Sequence, residues 1–160
     1  MKAELGRWNN GDGIDLESWA GCTGNYAIAV GYLTVFWPAF TRFEGYILRQ
    51  GFSVDSLRGF ENQPGSTPKS VEWVMNHLHI ATIHSHDEDQ VSEDKILVLG
   101  KALKEIYQAK LALQFPDSPC IVELHEPKEG GELIDYQLSF WQAQHDGVLP
   151  NTSLERSRER

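Results

Sequence analysis

The spacing of apolar residues predicts a chain that is helix-rich over its first two thirds. Between Ser92 and Pro116 the apolar side chains recur every three or four positions with lysines among them, which indicates an amphipathic helix. Ser92 is a good capping residue, and the acids that follow it favour the positive end of the helix dipole. Other helices are predicted to begin at three further capping positions: Asp15 or Ser18, Ser53, and Thr67.

Two prolines predict the starts of helices. Pro68 opens a helix that is expected to run to about Ile83, because the apolar residues between them fall on one helical face. Pro38 is expected to open another helix, which would run to about Gln50, because a missing amide costs nothing in the first helical turn.

The segment from Tyr26 to Phe40 contains fifteen residues without a charge. A helix that spans a bilayer needs roughly 20 apolar residues, and Pro38 interrupts this shorter run. We therefore expect a helix buried in a protein core rather than a membrane span.

The pattern changes from helical spacing to alternation after Pro116. Apolar and polar residues alternate through Cys120–His125 and again from Ile134 to Phe140, which predicts an antiparallel hairpin with its apolar face on the helices. The predicted fold class is α+β: one helix-rich domain of four to five helices with this C-terminal β-hairpin packed on them. Its predicted parts are an irregular N-terminal arm over residues 1–14, a single globular domain over 15–145, and a flexible tail over 146–160.

Composition limits the classes of function. The chain has 160 residues, 41% of them hydrophobic, so a packed core is expected rather than disorder. Its 14 basic and 23 acidic residues give a net charge of −9, which argues against a nucleic-acid partner. No secretory signal opens the sequence, so we expect a cytoplasmic protein with Cys22 and Cys120 as free thiols. Cys22, which stands among small residues, is expected to be buried rather than to act as a nucleophile.

Histidines and acids gather in one part of the chain. Four of the six histidines lie within ten positions, at 77, 79, 84 and 86. If the helix reached Ile83, the side chains of His77 and His79 would point about 160° apart and could not share an ion. In an extended segment, however, His84 and His86 would point the same way, with Asp87 or Asp89 next to them. The candidate metal ligands are therefore His84, His86 and Asp89, and the cofactor would be one divalent transition metal such as zinc.

The triplet His84-Ser85-His86 also resembles the His-Ser-His of JAMM-type metalloproteases. That family continues with Pro and, further on, with Ser-x-x-Asp. Here Asp87 replaces the Pro, and the acid after Ser92 comes one position too early. The resemblance therefore implies a metal-dependent hydrolase only as an alternative function.

The same region carries five acids and no Lys or Arg from His84 to Asp94. Such a patch steers basic partners, and a nearby exposed Trp73 would strengthen a protein interface. We therefore expect a soluble acidic binding or regulatory protein, such as an inhibitor, adaptor or immunity-like partner of a basic protein. No cofactor, nucleic acid or membrane is expected, and a homodimer is left open. The candidate binding residues are Asp87, Glu88, Asp89, Glu93, Asp94 and Trp73.

Overall fold

The computed structural model describes residues 1–84 and 90–146. It is an α+β domain, as predicted, with five helices of eight or more residues and antiparallel strands among the described residues. The elements are α1 (Lys2–Leu5), α2 (Leu16–Thr23), α3 (Tyr26–Phe36), β1 (Phe40–Phe43), β2 (Tyr46–Arg49), α4 (Val54–Glu61), α5 (Pro68–Met75), β3 (Leu78–His79), α6 (Glu93–Gln114), β4 (Cys120–His125) and β5 (Gln137–Gln142).

The main core forms between α6 and a three-stranded antiparallel sheet of order β3-β5-β4. Strands β4 and β5 pair in the predicted hairpin, with Val122 opposite Phe140. The apolar face of this hairpin packs on buried residues of α6, among them Leu103 and Tyr107, which confirms the expected packing of strands on helices. Helix α6 also begins after Ser92 and ends before Pro116, as the sequence predicts.

The segment after Pro38 is a second hairpin, so the helix predicted from Pro38 to about Gln50 is wrong. Strands β1 and β2 pair antiparallel and are joined by Glu44 and Gly45, both with positive φ (47° and 91°). Two successive residues of positive φ form the tight turn that matches the twist of paired strands, and they are incompatible with a continuing helix. Phe40 of this hairpin enters the main core.

Helix α5 begins with the predicted Thr67 cap and Pro68, but it ends at Met75 rather than near Ile83. The next residue, Asn76, is fully buried and donates from Nδ2 to the carbonyl oxygens of Ile47 (2.9 Å) and Phe140 (3.2 Å). These bonds hold the chain against both sheets, and after them β3 turns into the sheet beside β5.

Glu72, one helical turn earlier, makes a second junction between the two sheets. Its buried carboxylate accepts hydrogen bonds from the backbone N–H groups of Ile47 (2.8 Å) and Gln142 (2.7 Å). The Gln142 side chain (2.7 Å) and His145 Nδ1 (2.9 Å) complete its surroundings. Buried polar groups need such partners, so α5 connects β2 to β5 through side chains instead of a backbone ladder.

The N-terminal arm is not wholly irregular, because α1 and a 3-10 turn over Asn9–Gly11 lie within residues 1–14. The Met1 ammonium group lies 3.1 Å from Asp94, and Lys95 donates to Glu4 at 2.8 Å. The arm is therefore attached to the start of α6. Residues 147–160, most of the tail predicted to be flexible, lie outside the described residues.

Candidate functional site

The structure describes only one of the three predicted metal ligands. His84 Nε2 is hydrogen-bonded to the Tyr32 hydroxyl of α3, and the two rings meet edge to face with centroids 5.4 Å apart. His86 and Asp89, like the candidate binding residues Asp87 and Glu88, lie outside the described residues. Within residues 1–84 and 90–146, no three His, Cys, Asp or Glu side chains are placed to hold a metal ion. The metal site remains a prediction.

His77 and His79 do not point apart, so that expectation is wrong. Their rings meet edge to face with centroids 5.0 Å apart, because α5 has already ended and they follow no helical spacing. The Nδ1 atom of His77 is hydrogen-bonded to the carbonyl of Val74, and that of His79 to the carbonyl of Ile134 at 2.8 Å. A carbonyl only accepts, so both Nδ1 atoms donate in these hydrogen bonds.

The two described acids of the predicted acidic patch already have partners within the chain. Glu93 accepts a hydrogen bond from the Tyr136 hydroxyl, which raises the pKa of Tyr136 to about 12. Asp94 accepts from the Ser92 hydroxyl and from the N-terminal ammonium group, and these bonds lower the pKa of Asp94. Both carboxylates are therefore less available to a basic partner than the sequence indicates.

Trp73 lines a cleft where β4 ends and β5 begins. The cleft measures about 440 Å³ and is lined by the half-buried Trp73, His125, Gln137 and the loop of residues 127–131. Trp73 and Glu93 therefore have different neighbours: Trp73 lines this cleft, whereas Glu93 is hydrogen-bonded to Tyr136.

Helix α3 exposes several of its apolar side chains, so the expectation of a buried core helix is wrong. The helix begins as a capped element, since the Asn25 side chain accepts from Ile28 N–H at 3.0 Å. Residues 1–37 are all described, and none of them is classed as buried. Four apolar side chains form what we call the α3 stripe, with their exposed fractions: Tyr26 (92%), Val30 (65%), Leu33 (61%) and Trp37 (49%).

The α3 stripe occupies one side of the helix. Tyr26, Val30 and Leu33 are spaced by four and three residues, so at about 100° per residue they lie within an arc of about 60°. Trp37 follows the last residue of the helix. The stripe contains no charge, and Lys110 stands at one end with Nζ 4.7 Å from the centre of the Trp37 ring. A continuous apolar surface is therefore exposed along the whole helix.

The C-terminal end of α3 is the part that meets the core. Val35 and Phe36 pack on the main core, and the Tyr107 hydroxyl of α6 donates to the Val35 carbonyl at 3.0 Å. Ile28 lies on the same side of the helix as Val35 but is 42% exposed, so the core does not cover the first half of α3. A sequence-based argument detects the apolar residues but cannot tell how much of the helix the core covers.

Helix α2 also exposes apolar and thiol side chains. Leu16 is 51% exposed, and Cys22 is exposed as well, so the expectation of a buried Cys22 is wrong. The second thiol, Cys120, is partly buried, and burial raises its pKa to about 12.

Comparison with known proteins leaves the function to be inferred from this geometry. No protein-family model, curated protein or solved structure matches the chain. Among the residues that the structure describes, no helix has the length and apolar character needed to cross a membrane. The α3 stripe is the candidate functional site, because its four apolar side chains stay exposed close together in the part of the chain that the structure describes.

Proposed function

We propose that this chain is a binding protein that acts through protein–protein contact, and that the α3 stripe is its contact surface. The observation that carries the proposal is the exposure of four apolar side chains on one charge-free side of a helix. Contiguous apolar surface on a soluble protein marks an interaction site, whereas single exposed apolar residues need no explanation.

The composition of the stripe supports a contact role. An aromatic residue stands at each end, Tyr26 and Trp37, and such residues are enriched among those that contribute most to binding. Full burial of a side chain of this size contributes about 1.5–3 kcal/mol, so the partly exposed stripe offers roughly 4–8 kcal/mol. Association itself costs about 4–15 kcal/mol, so this gain is largely offset and the stripe by itself supports only weak binding.

This proposal changes the surface that the sequence indicated while keeping the class of function. The described acids Glu93 and Asp94 are hydrogen-bonded within the chain, whereas the stripe is exposed. Apolar burial, rather than attraction of a basic partner by the acidic run, is therefore the main source of binding energy. The negative charge of the acids then acts at longer range, by favouring the approach of positively charged partners.

A photo-cross-linking amino acid placed at Val30 tests the proposal in cells. Val98 of α6 is the matched control, because it is also a helical valine of similar exposure (61% against 65%). We expect protein adducts, identified by mass spectrometry, from position 30 that are missing from position 98. The same adducts from both positions, or none from position 30, would contradict the proposal.

A further inference from the structure

We propose that His77 and His79 together bind one divalent transition-metal ion, such as zinc, through their Nε2 atoms. This site differs from the one predicted at His84, His86 and Asp89, and it does not depend on the α3 stripe. Three observations support it: the direction of the two side chains, the hydrogen bonds that fix their rings, and the distance between the rings.

The backbone directs both imidazole rings to the same side of the chain. Leu78 lies between the two histidines and packs against the main core. Because successive residues of an extended chain point to opposite sides, His77 and His79 point away from that core. Both residues are half-buried, which leaves them partly open to solvent and to an ion that arrives from it.

The chain is held in place on both sides of this pair. Asn76, which precedes His77, is fully buried and donates to carbonyl oxygens of both sheets. His79 itself lies in β3, and the next amide, that of Ile80, donates to the Tyr136 carbonyl at 3.2 Å. A pair of ligands on a fixed backbone loses little conformational freedom when it binds an ion.

Hydrogen bonds to backbone carbonyls fix the orientation of both rings. Nδ1 of His77 donates to the Val74 carbonyl. Nδ1 of His79 donates to the Ile134 carbonyl at 2.8 Å. A neutral imidazole that carries its proton on Nδ1 presents Nε2 as the atom that can bind a metal. Histidines that bind metals in proteins are almost always held in this way, with the other ring nitrogen donating to a carbonyl, a carboxylate or water.

The separation of the two rings suits a shared ion. A zinc–nitrogen bond of about 2.0–2.1 Å places the ion about 3.2 Å from the centre of an imidazole ring. Two rings that bind one ion at the tetrahedral angle then have centres about 5.2 Å apart. The centres of the His77 and His79 rings are 5.0 Å apart, which is close to this value.

The two imidazoles determine which ions the pair binds and how tightly. Imidazole nitrogen suits zinc, copper and nickel, whereas calcium and magnesium prefer oxygen ligands. Within residues 1–84 and 90–146 no group of three such side chains is placed to hold an ion, so two protein ligands set the affinity. Half the binding free energy of a four-ligand zinc site corresponds to a dissociation constant of roughly 1–200 µM. The ion therefore exchanges with solvent instead of staying bound through purification.

Zinc titration of the full chain, followed by NMR of nitrogen-15-labelled histidine, tests the proposal without a variant. At mildly alkaline pH, where imidazoles are neutral, the Nε2 signals of His77 and His79 should shift as zinc rises from about 1 µM to 1 mM. The His125 signal should need at least about 50-fold more zinc, because a single imidazole supplies half the binding free energy. Magnesium over the same range should shift none of these signals.

Variants separate this site from the one predicted further along the chain. In calorimetric titrations, His77→Ala/His79→Ala should bind zinc at least about 50-fold more weakly than the parent chain. The matched control is His84→Ala/His86→Ala, which removes the same number of imidazoles and should keep the zinc-induced shifts of His77 and His79. Circular dichroism checks that both variants fold, and the NMR titration of the parent chain decides the matter if one does not.

Two results would overturn the proposal. The first is a parent chain in which the signals of His77 and His79 do not shift below about 1 mM zinc. The second is zinc binding that survives unchanged in His77→Ala/His79→Ala. Loss of that binding in His84→Ala/His86→Ala alone would place the ion at the segment predicted from the sequence.

Discussion

Replacement of Glu72 by Ala is expected to destabilise the fold far more than a helical Glu→Ala change normally does. The Glu72 side chain is fully buried and accepts hydrogen bonds from two backbone N–H groups, those of Ile47 and Gln142. Ala leaves both donors without an acceptor in a region closed to water. A buried polar group without a partner costs about 1–3 kcal/mol, so the two lost bonds predict roughly 2–6 kcal/mol.

That loss is a large part of the total free energy of unfolding, which is about 5–15 kcal/mol for natural domains. Urea unfolding followed by tryptophan fluorescence and by circular dichroism measures it. The control is Glu105→Ala, which makes the same change at an exposed position of α6 and is expected to alter stability by less than about 0.5 kcal/mol.

Glu72→Gln serves if the Ala variant does not fold. Gln keeps one carbonyl oxygen for one of the two N–H groups but turns an amide N–H₂ towards the other, so we expect a smaller loss of about 1–3 kcal/mol. If the free energies of unfolding of Glu72→Ala and Glu105→Ala differ by less than about 1 kcal/mol, the Glu72 carboxylate does not hold β2 and β5 together.

Three further predictions concern the thiols, the acid limit of stability and the metal hypothesis. Iodoacetamide at neutral pH should label the exposed Cys22 within the time that leaves Cys120 unmodified, because burial raises the pKa of Cys120 to about 12; equal labelling of both in peptide mapping would contradict this. Asp15 caps the start of α2, and the hydrogen bonds that it accepts from Ser18 lower its pKa below the ordinary 3.8. The stabilisation by the Asp15 carboxylate is therefore present above pH 3.8 and is lost as pH falls through the lowered pKa. Asp15→Asn keeps the cap without the charge, so its melting temperature should fall less than that of the parent on acidification, and an equal fall would refute the assignment. The metal hypothesis predicts about one transition-metal ion per chain after anaerobic purification, and this ion should be lost when His84 and His86 are changed to Ala. Metal-free protein whose melting temperature does not change on addition of zinc would refute it.

The candidate site shows how far the sequence could lead. The sequence places an uncharged apolar run after Asn25, and the structure forms a helix there. The burial of this helix could not be inferred from the sequence, because it depends on packing against residues more than sixty positions away, such as Tyr107. The same limit applies to Glu93 and Asp94, whose partners Tyr136 and Met1 are distant in sequence.

The sequence by itself determined the features whose causes lie within a few residues. Ser53, Thr67 and Ser92 stand at the helix starts that they predict. Ser53 and Thr67 each accept a hydrogen bond from the N–H three positions on, whereas the Ser92 hydroxyl donates to Asp94 instead. The alternation after Cys120 predicts the β4–β5 hairpin, because neighbouring strands impose a period of two.

Only the tertiary structure decided which of the apolar segments would be buried and where α5 would stop. Asn76 ends α5 because acceptors at Ile47 and Phe140 lie on two different sheets, which no local pattern reveals. The residues after Pro38 pair as strands because a two-residue turn of positive φ and a place in the core for Phe40 outweigh helix propensity. Helix α3 remains exposed because burial is a property of the whole fold, whose core reaches only Val35 and Phe36 near the end of this helix.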